Sequence, residues 1–171
     1  MLKSRNQQNK RDLNTFEQVY SYALNLLSYR DYGCEELRKR LIAAGANKEY
    51  WSEVEAKLKD YKLLDDTKYA RLLYQSWLKK KYYGINHLAQ EFEKHSLSLE
   101  NFPAIVDAFT EDLEVEHAEA ATNVFWGKHK LDAFDNLYEY KNALGRFLFS
   151  RGFKMNIIHK IFEKYTGKQL S

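Results

Sequence analysis

Five histidines, one cysteine and a pair of adjacent aspartates are the side chains of this 171-residue chain best suited to catalysis or metal binding. His87, His95, His117, His129 and His159 are scattered, and none falls in an HExxH or paired Cys/His spacing of the kind that holds zinc. Cys34, the only cysteine, excludes an intramolecular disulfide, and no motif sets a base beside it, so it reads as an inert, partly buried thiol. Asp65-Asp66 stands directly before a periodic apolar segment, where capping the next helix explains the pair better than a metal does. There is no glycine-rich phosphate loop and no dinucleotide fingerprint. The chain is therefore expected not to be an enzyme and to need neither cofactor nor metal.

Charge offers a better route to function. Arg38-Lys39-Arg40 forms one basic cluster and Lys79-Lys80-Lys81 a second, while Arg146, Arg151 and Lys154 form a third. Such runs can be solvated faces, and lysines near a helix C-terminus also complement its dipole. Their recurrence at related places favours a basic stripe that meets a partner, with Arg71, Tyr83 and His87 as further candidates. Trp77 reads as core; Tyr82 and Tyr83 could be core or could stack on exposed bases. Net charge is only +3, and it is polarised. Residues 101–121 hold six acids (Asp107, Glu111, Asp112, Glu114, Glu116, Glu119) and no Lys or Arg, whereas 122–171 hold nine Lys or Arg against four acids. A protein living mainly on phosphate contacts would carry a larger basic excess, so direct DNA affinity is expected to be modest and salt-sensitive.

Helices must position these residues, because the apolar pattern is helical and repeats. Leu37, Leu41 and Gly45 shifted by 51 residues fall on Leu88, Phe92 and Ser96, and by a further 56 on Leu144, Leu148 and Gly152. Val54 and Leu58 match Ile105 and Phe109, then Ile161 and Tyr165; Tyr32-Gly33 matches Tyr83-Gly84, a pair the third copy lacks. The spacing predicts an all-α chain of three tandem three-helix repeats forming an elongated, curved array, which suits binding rather than catalysis. The expected division is a flexible tail over 1–12, then repeats over 13–64, 65–112 and 113–171. Leu72 and Leu63-Leu64 are expected to face inward, Glu35 and Glu36 to pair with Lys39 and Arg40, and a long loop to cover 127–136. The polar N-terminus lacks the apolar core of a signal peptide and no apolar run approaches a bilayer span, so a soluble, cytoplasmic protein is expected, with no membrane contact.

Several segments resemble one family in order and spacing. Leu63-Leu64-Asp65-Asp66-Thr67-Lys68-Tyr69-Ala70 resembles the LxDDxxFA or LDDxxYA segment of RecX proteins, and Tyr83–Phe92 resembles their KGYGxxRIxxEL segment. Ala23–Tyr32 with Glu35-Glu36-Leu37 is similar to their opening, and Phe147–Phe153 to their FLxxRGF element. The resemblance covers about 16–165. It implies a regulatory protein that binds the RecA–single-stranded-DNA filament and mostly inhibits the recombinase, as a monomer with auxiliary contact to single-stranded DNA. The alternative that the residues leave open is a stand-alone helical nucleic-acid-binding protein or an adaptor independent of RecA. Two positions depart from the pattern: His87 stands where Arg is usual and Ile85 where Pro is common. The first exchanges a permanent charge for one largely lost at neutral pH.

Overall fold

Leu37 and Leu41, Leu88 and Phe92, and Leu144 and Leu148 are all buried in the computed structural model, which describes residues 13–128, 134 and 136–166. Each pair lies on a separate helix. In chain order the α-helices are α1 (Phe16–Tyr29), α2 (Cys34–Ala43), α3 (Trp51–Asp60), α4 (Asp66–Leu78), α5 (Ile85–Lys94), α6 (Pro103–Ala108), α7 (Glu111–Lys128), α8 (Leu137–Ser150) and α9 (Met155–Thr166). Short 3-10 turns, Lys48–Tyr50 and Leu99–Asn101, precede α3 and α6. Among the described residues there is no strand, and no helix is long and apolar enough to cross a membrane.

The chain divides into two compact units, the division falling between Ala70 and Arg71 within α4. In the first unit Val19, Ala23, Leu37, Leu41, Val54 and Leu58 form the core. In the second, α7, α8 and α9 pack on one another around Phe125, Leu144, Leu148, Phe153 and Ile161. The N-terminal tail and most of the loop expected over 127–136 lie outside the described residues, as does His129; Gly127 and Lys128 belong to α7.

The third register of the sequence repeat has a conformational reason. Gly45, Ser96 and Gly152 all take positive φ, at 98°, 59° and 80°. Each follows the end of its helix, and the residue after it donates back to a buried carbonyl: Ala46 to Leu41, Leu97 to Phe92, Phe153 to Leu148. These backward bonds satisfy carbonyls that a helix end leaves orphaned. Ser96 adopts the same turn without the freedom of glycine.

The opposite ends of α2 and α5 share a second device. Both begin after a glycine, Gly33 or Gly84, which has no side chain to cap them. A carboxylate from further along the chain supplies the cap. Asp66 Oδ1 accepts from the Cys34 N–H at 2.7 Å, and Glu114 Oε1 accepts from the Ile85 N–H at 3.0 Å. Cys34 and Ile85 are equivalent under the 51-residue shift. α8 carries its own cap, Asn136 Oδ1 accepting from the Glu139 N–H at 2.9 Å. Glu114 is buried, so its carboxylate sits against the positive end of α5 with little water to compete. Glu114→Ala is expected to lower the unfolding free energy by about 1–3 kcal/mol, since it strands the Ile85 donor. Urea denaturation checks this; unchanged stability would remove Glu114 from the list of structural residues.

Some inward assignments fail. Leu72 and Leu63 are exposed, and only Leu64 of its pair is buried. Leu72 sits on α4 beside Tyr69, Ala70 and Leu73, and Tyr69 and Ala70 supply the buried turn of that helix instead. Glu36 pairs with Arg30 at 2.5 Å, and Glu35 with Arg38 at 3.0 Å, three residues on.

Candidate interaction surface

Two turns carry most of the candidate cations of the second unit, and the backbone stitches them together. The turn after α4 holds Lys79, Lys80, Lys81, Tyr82 and Tyr83; the turn between α8 and α9 holds Arg151 and Lys154. The Gly84 N–H donates to Arg151 O and the Asn86 N–H to Gly152 O, both at 3.0 Å. Only glycines permit so close an approach: a Cβ on Gly84 would lie 2.5 Å from Gly152 O, and one on Gly152 would lie 2.3 Å from His87 N. Two basic clusters far apart in the chain thus become neighbours.

Within this joint the side chains form a stack. The Arg151 guanidinium lies 4.4 Å from the Phe147 ring centre and 5.2 Å from that of Tyr83. Tyr83 in turn stacks on His87, with centroids 4.0 Å apart. The Trp77 indole N–H donates to His87 Nδ1 at 2.9 Å, so the neutral ring carries its proton on Nε2. Burial pushes the His87 pKa below its ordinary value, with Glu91 opposing and Lys80, Lys94 and Arg151 assisting. His87 therefore brings a neutral ring to the joint, at the position where the family it resembles usually has Arg. Glu91 is held below the usual carboxylate range by Lys94 and then Lys80, the latter pairing with it at 3.2 Å. The buried His117 ring donates from Nδ1 to Tyr83 O at 3.1 Å, which fixes the backbone of the same turn.

The remaining candidates lie elsewhere. Arg38, Lys39 and Arg40 are exposed on α2 in the first unit, Arg71 on α4 and Arg146 on α8. The acidic run has internal work. Glu111 pairs with Lys160, Glu119 with Lys164, and Glu114 caps α5. Sequence reasoning overlooked Phe149, which is 64% exposed next to the stitched turns, although Leu144 and Leu148 on the same helix define an inward face that excludes it. Among the described residues, no group of His, Cys, Asp or Glu side chains could hold a metal ion. Burial, with the Asp66 carboxylate beside it, pushes the Cys34 thiol up to about 12, far from the thiolate that nucleophilic chemistry needs.

The Leu63–Ala70 segment proves to be a latch. Asp65 Oδ1 accepts from the Lys68 N–H at 3.0 Å and so caps α4, while Asp66 caps α2. Tyr69 Oη lies 3.2 Å from Arg30 Nη1 and 3.3 Å from Glu36 Oε2, closing a partly buried polar cluster between α4 and α2. Two solved structures share this fold. One, the crystal structure of RecX from Lactobacillus salivarius, superposes with a TM-score of 0.75 and 22% identity over 87% of this chain and 95% of its own. The other, a crystal structure of regulatory protein RecX, gives 0.75 and 18% over 86% and 73%. In sequence, the regulatory protein RecX of Geobacillus sp. (strain WCH70) is 25% identical over 145 residues, and that of Finegoldia magna 23% identical over 159. The chain is RecX-like. It spans 52% of the length of the first relative and 75% of the second, using 85% and 90% of its own. No family model matches it. The segments that carry the RecX resemblance thus divide in two: Leu63–Ala70 holds helices together, whereas Tyr83–Phe92 and Phe147–Phe153 build the stitched turns.

Proposed function

We propose that this chain binds the RecA–single-stranded-DNA filament and restrains recombinase activity and filament assembly, acting in the cytoplasm as a monomer and without bond chemistry of its own. The observation that carries the reading is its similarity to proteins named regulatory protein RecX along 85–90% of its length. In this reading the chain consists of three repeats over 13–64, 65–112 and 113–171. Exposed cations on both compact units support it, since several weak contacts to a repeating partner combine through effective concentration. The binding equilibrium is then biased by contact alone.

The test is RecA ATP hydrolysis on single-stranded DNA, titrated with this chain well below equimolar and paired with filament imaging. Inhibition or a change in filament length supports the proposal; an unaltered recombinase overturns it. Replacing Lys79, Lys80 and Lys81 together by Ala is expected to change stability by less than about 0.5 kcal/mol per site, because all three are exposed. The same variant should bind the filament more weakly, measured by co-sedimentation. Unchanged binding would take this turn out of the interface.

A further inference from the structure

We propose that the stitched joint carries a proton-driven switch, in which uptake of a proton by His87 moves its ring from Trp77 to Glu91 and displaces Lys80 from its ion pair. The turn that bears Lys79, Lys80 and Lys81 thereby gains positive charge in acid.

In the neutral state His87 is engaged through an acceptor. Its Nδ1 takes the Trp77 indole N–H at 2.9 Å, which leaves the ring's own proton on Nε2. A second proton can enter only at Nδ1, where it sets two donors against each other. Trp77 is buried, and among the described residues its N–H has no other acceptor, so the pair must part. His117 is the other histidine against Trp77, with ring centres 5.8 Å apart, but it is engaged through a donor. Its bond from Nδ1 to Tyr83 O survives protonation, which singles out His87 as the sensitive ring.

A new partner stands within reach. Glu91 Oε1 lies 4.0 Å from His87 Nε2, one turn along the same helix. A charged imidazole tilted towards it closes an ion pair and withdraws Nδ1 from the indole in one movement. The carboxylate is already shared, by Lys94 at 2.5 Å and Lys80 at 3.2 Å. Lys80 makes the longer contact, from an exposed side chain outside α5, so it is the cation that leaves. The groups around His87 set where this happens. Lys80 and Tyr83 face it from the turn after α4, Glu91 and Lys94 from α5, and Arg151 from the turn after α8. Burial and three cations oppose the proton while one carboxylate favours it, which places the exchange on the acid side of the ordinary histidine range.

The experiment is a ¹H–¹⁵N NMR titration of the isotope-labelled full chain between about pH 8 and pH 5, without any recombinase. The chain holds three tryptophans, and the indole peak lost in Trp77→Phe is that of Trp77. That peak is expected to move with the same midpoint as the His87 ring nitrogens, below pH ~6.5, while those of Trp51 and Trp126 stay in place. His87→Gln retains a side-chain acceptor but cannot titrate, so its Trp77 peak should hold still over the whole range. Glu91→Gln removes the receiving carboxylate and should lower the His87 midpoint by about one pH unit. A wild-type Trp77 peak that stays fixed while His87 titrates overturns the proposal, as does equal movement in His87→Gln or an unmoved midpoint in Glu91→Gln. Collapse of the whole second-unit spectrum at the His87 midpoint overturns it too, since that is unfolding rather than an exchange of partners. The wild-type titration decides even where a variant fails to fold. No recombinase takes part, so either result leaves the filament reading to its own assay.

Discussion

Gly84→Ala is expected to lower the unfolding free energy by about 3 kcal/mol, the upper part of the range for overpacking. Backbone conformation is not the reason, since Gly84 has an ordinary φ of −92°. Space is. The added Cβ would meet Gly152 O at 2.5 Å, Phe153 Cα at 2.6 Å and Phe153 N at 2.7 Å. All three are backbone atoms, so no side-chain tip can swing away. The two turns must part, which stretches the Gly84–Arg151 and Asn86–Gly152 hydrogen bonds and loosens the cover over the fully buried Phe153. Urea denaturation gives the measurement. Gly127→Ala is the control: a Cβ there meets nothing within 4 Å in α7, so it should leave stability unchanged or raise it by up to about 1 kcal/mol. If Gly84→Ala unfolds at the wild-type urea concentration, the stitched joint is not a structural necessity.

That glycine also shows what a sequence can and cannot disclose. Its place in a repeated Tyr-Gly pair was visible, and so was its position before a helix. Its partner was not, because no spacing rule links Gly84 to a turn that lies beyond four further helices. Apolar positions four apart were legible because burial imposes the helical period on them, and every one at the Leu37, Leu41 and Gly45 registers is placed as that period requires. Glu114 was hidden for the opposite reason. Within an acidic run, nothing local separates the carboxylate that caps α5 from Glu111, which lies on the surface opposite Lys160. The basic clusters were visible as runs of charge. Only the fold could set the turn of Lys79–Lys81 beside that of Arg151 and Lys154, and only its exposure tells Phe149 apart from the rings that fill the core. His87 looked like a weakened cation until its Nδ1 proved to be an acceptor for Trp77.

Trp77→Ala should cost more than any surface change, about 3–5 kcal/mol, as expected for a large buried aromatic. The indole is the hub of the second unit's polar-aromatic cluster. Its ring centre lies 5.1 Å from Phe109, 5.8 Å from His117, 6.4 Å from His87 and 6.5 Å from Tyr74. Its N–H is also the donor that satisfies His87. The loss should depend on pH in a defined sense. His87 is held below its ordinary pKa chiefly by burial, among Glu91, Lys80, Lys94 and Arg151. Below pH ~6.5 the unfolded chain takes up a proton that the folded ring resists, so the wild type should lose stability as the pH falls through that window. Above it the contribution of the neutral ring is fully present. Removing Trp77 opens the ring to water and frees Nδ1 to accept a proton, so the pKa moves back up and the acid-sensitive part of the stability shrinks. The gap between wild type and Trp77→Ala in urea melts should therefore narrow between pH 8 and pH 5. Trp77→Phe, which keeps most of the volume and so most of the burial, should show a smaller narrowing at a smaller total cost. A gap that stays constant across this range would mean that His87 does not titrate through its contact with Trp77. The neutral ring beneath Tyr83 would then owe nothing to that hydrogen bond.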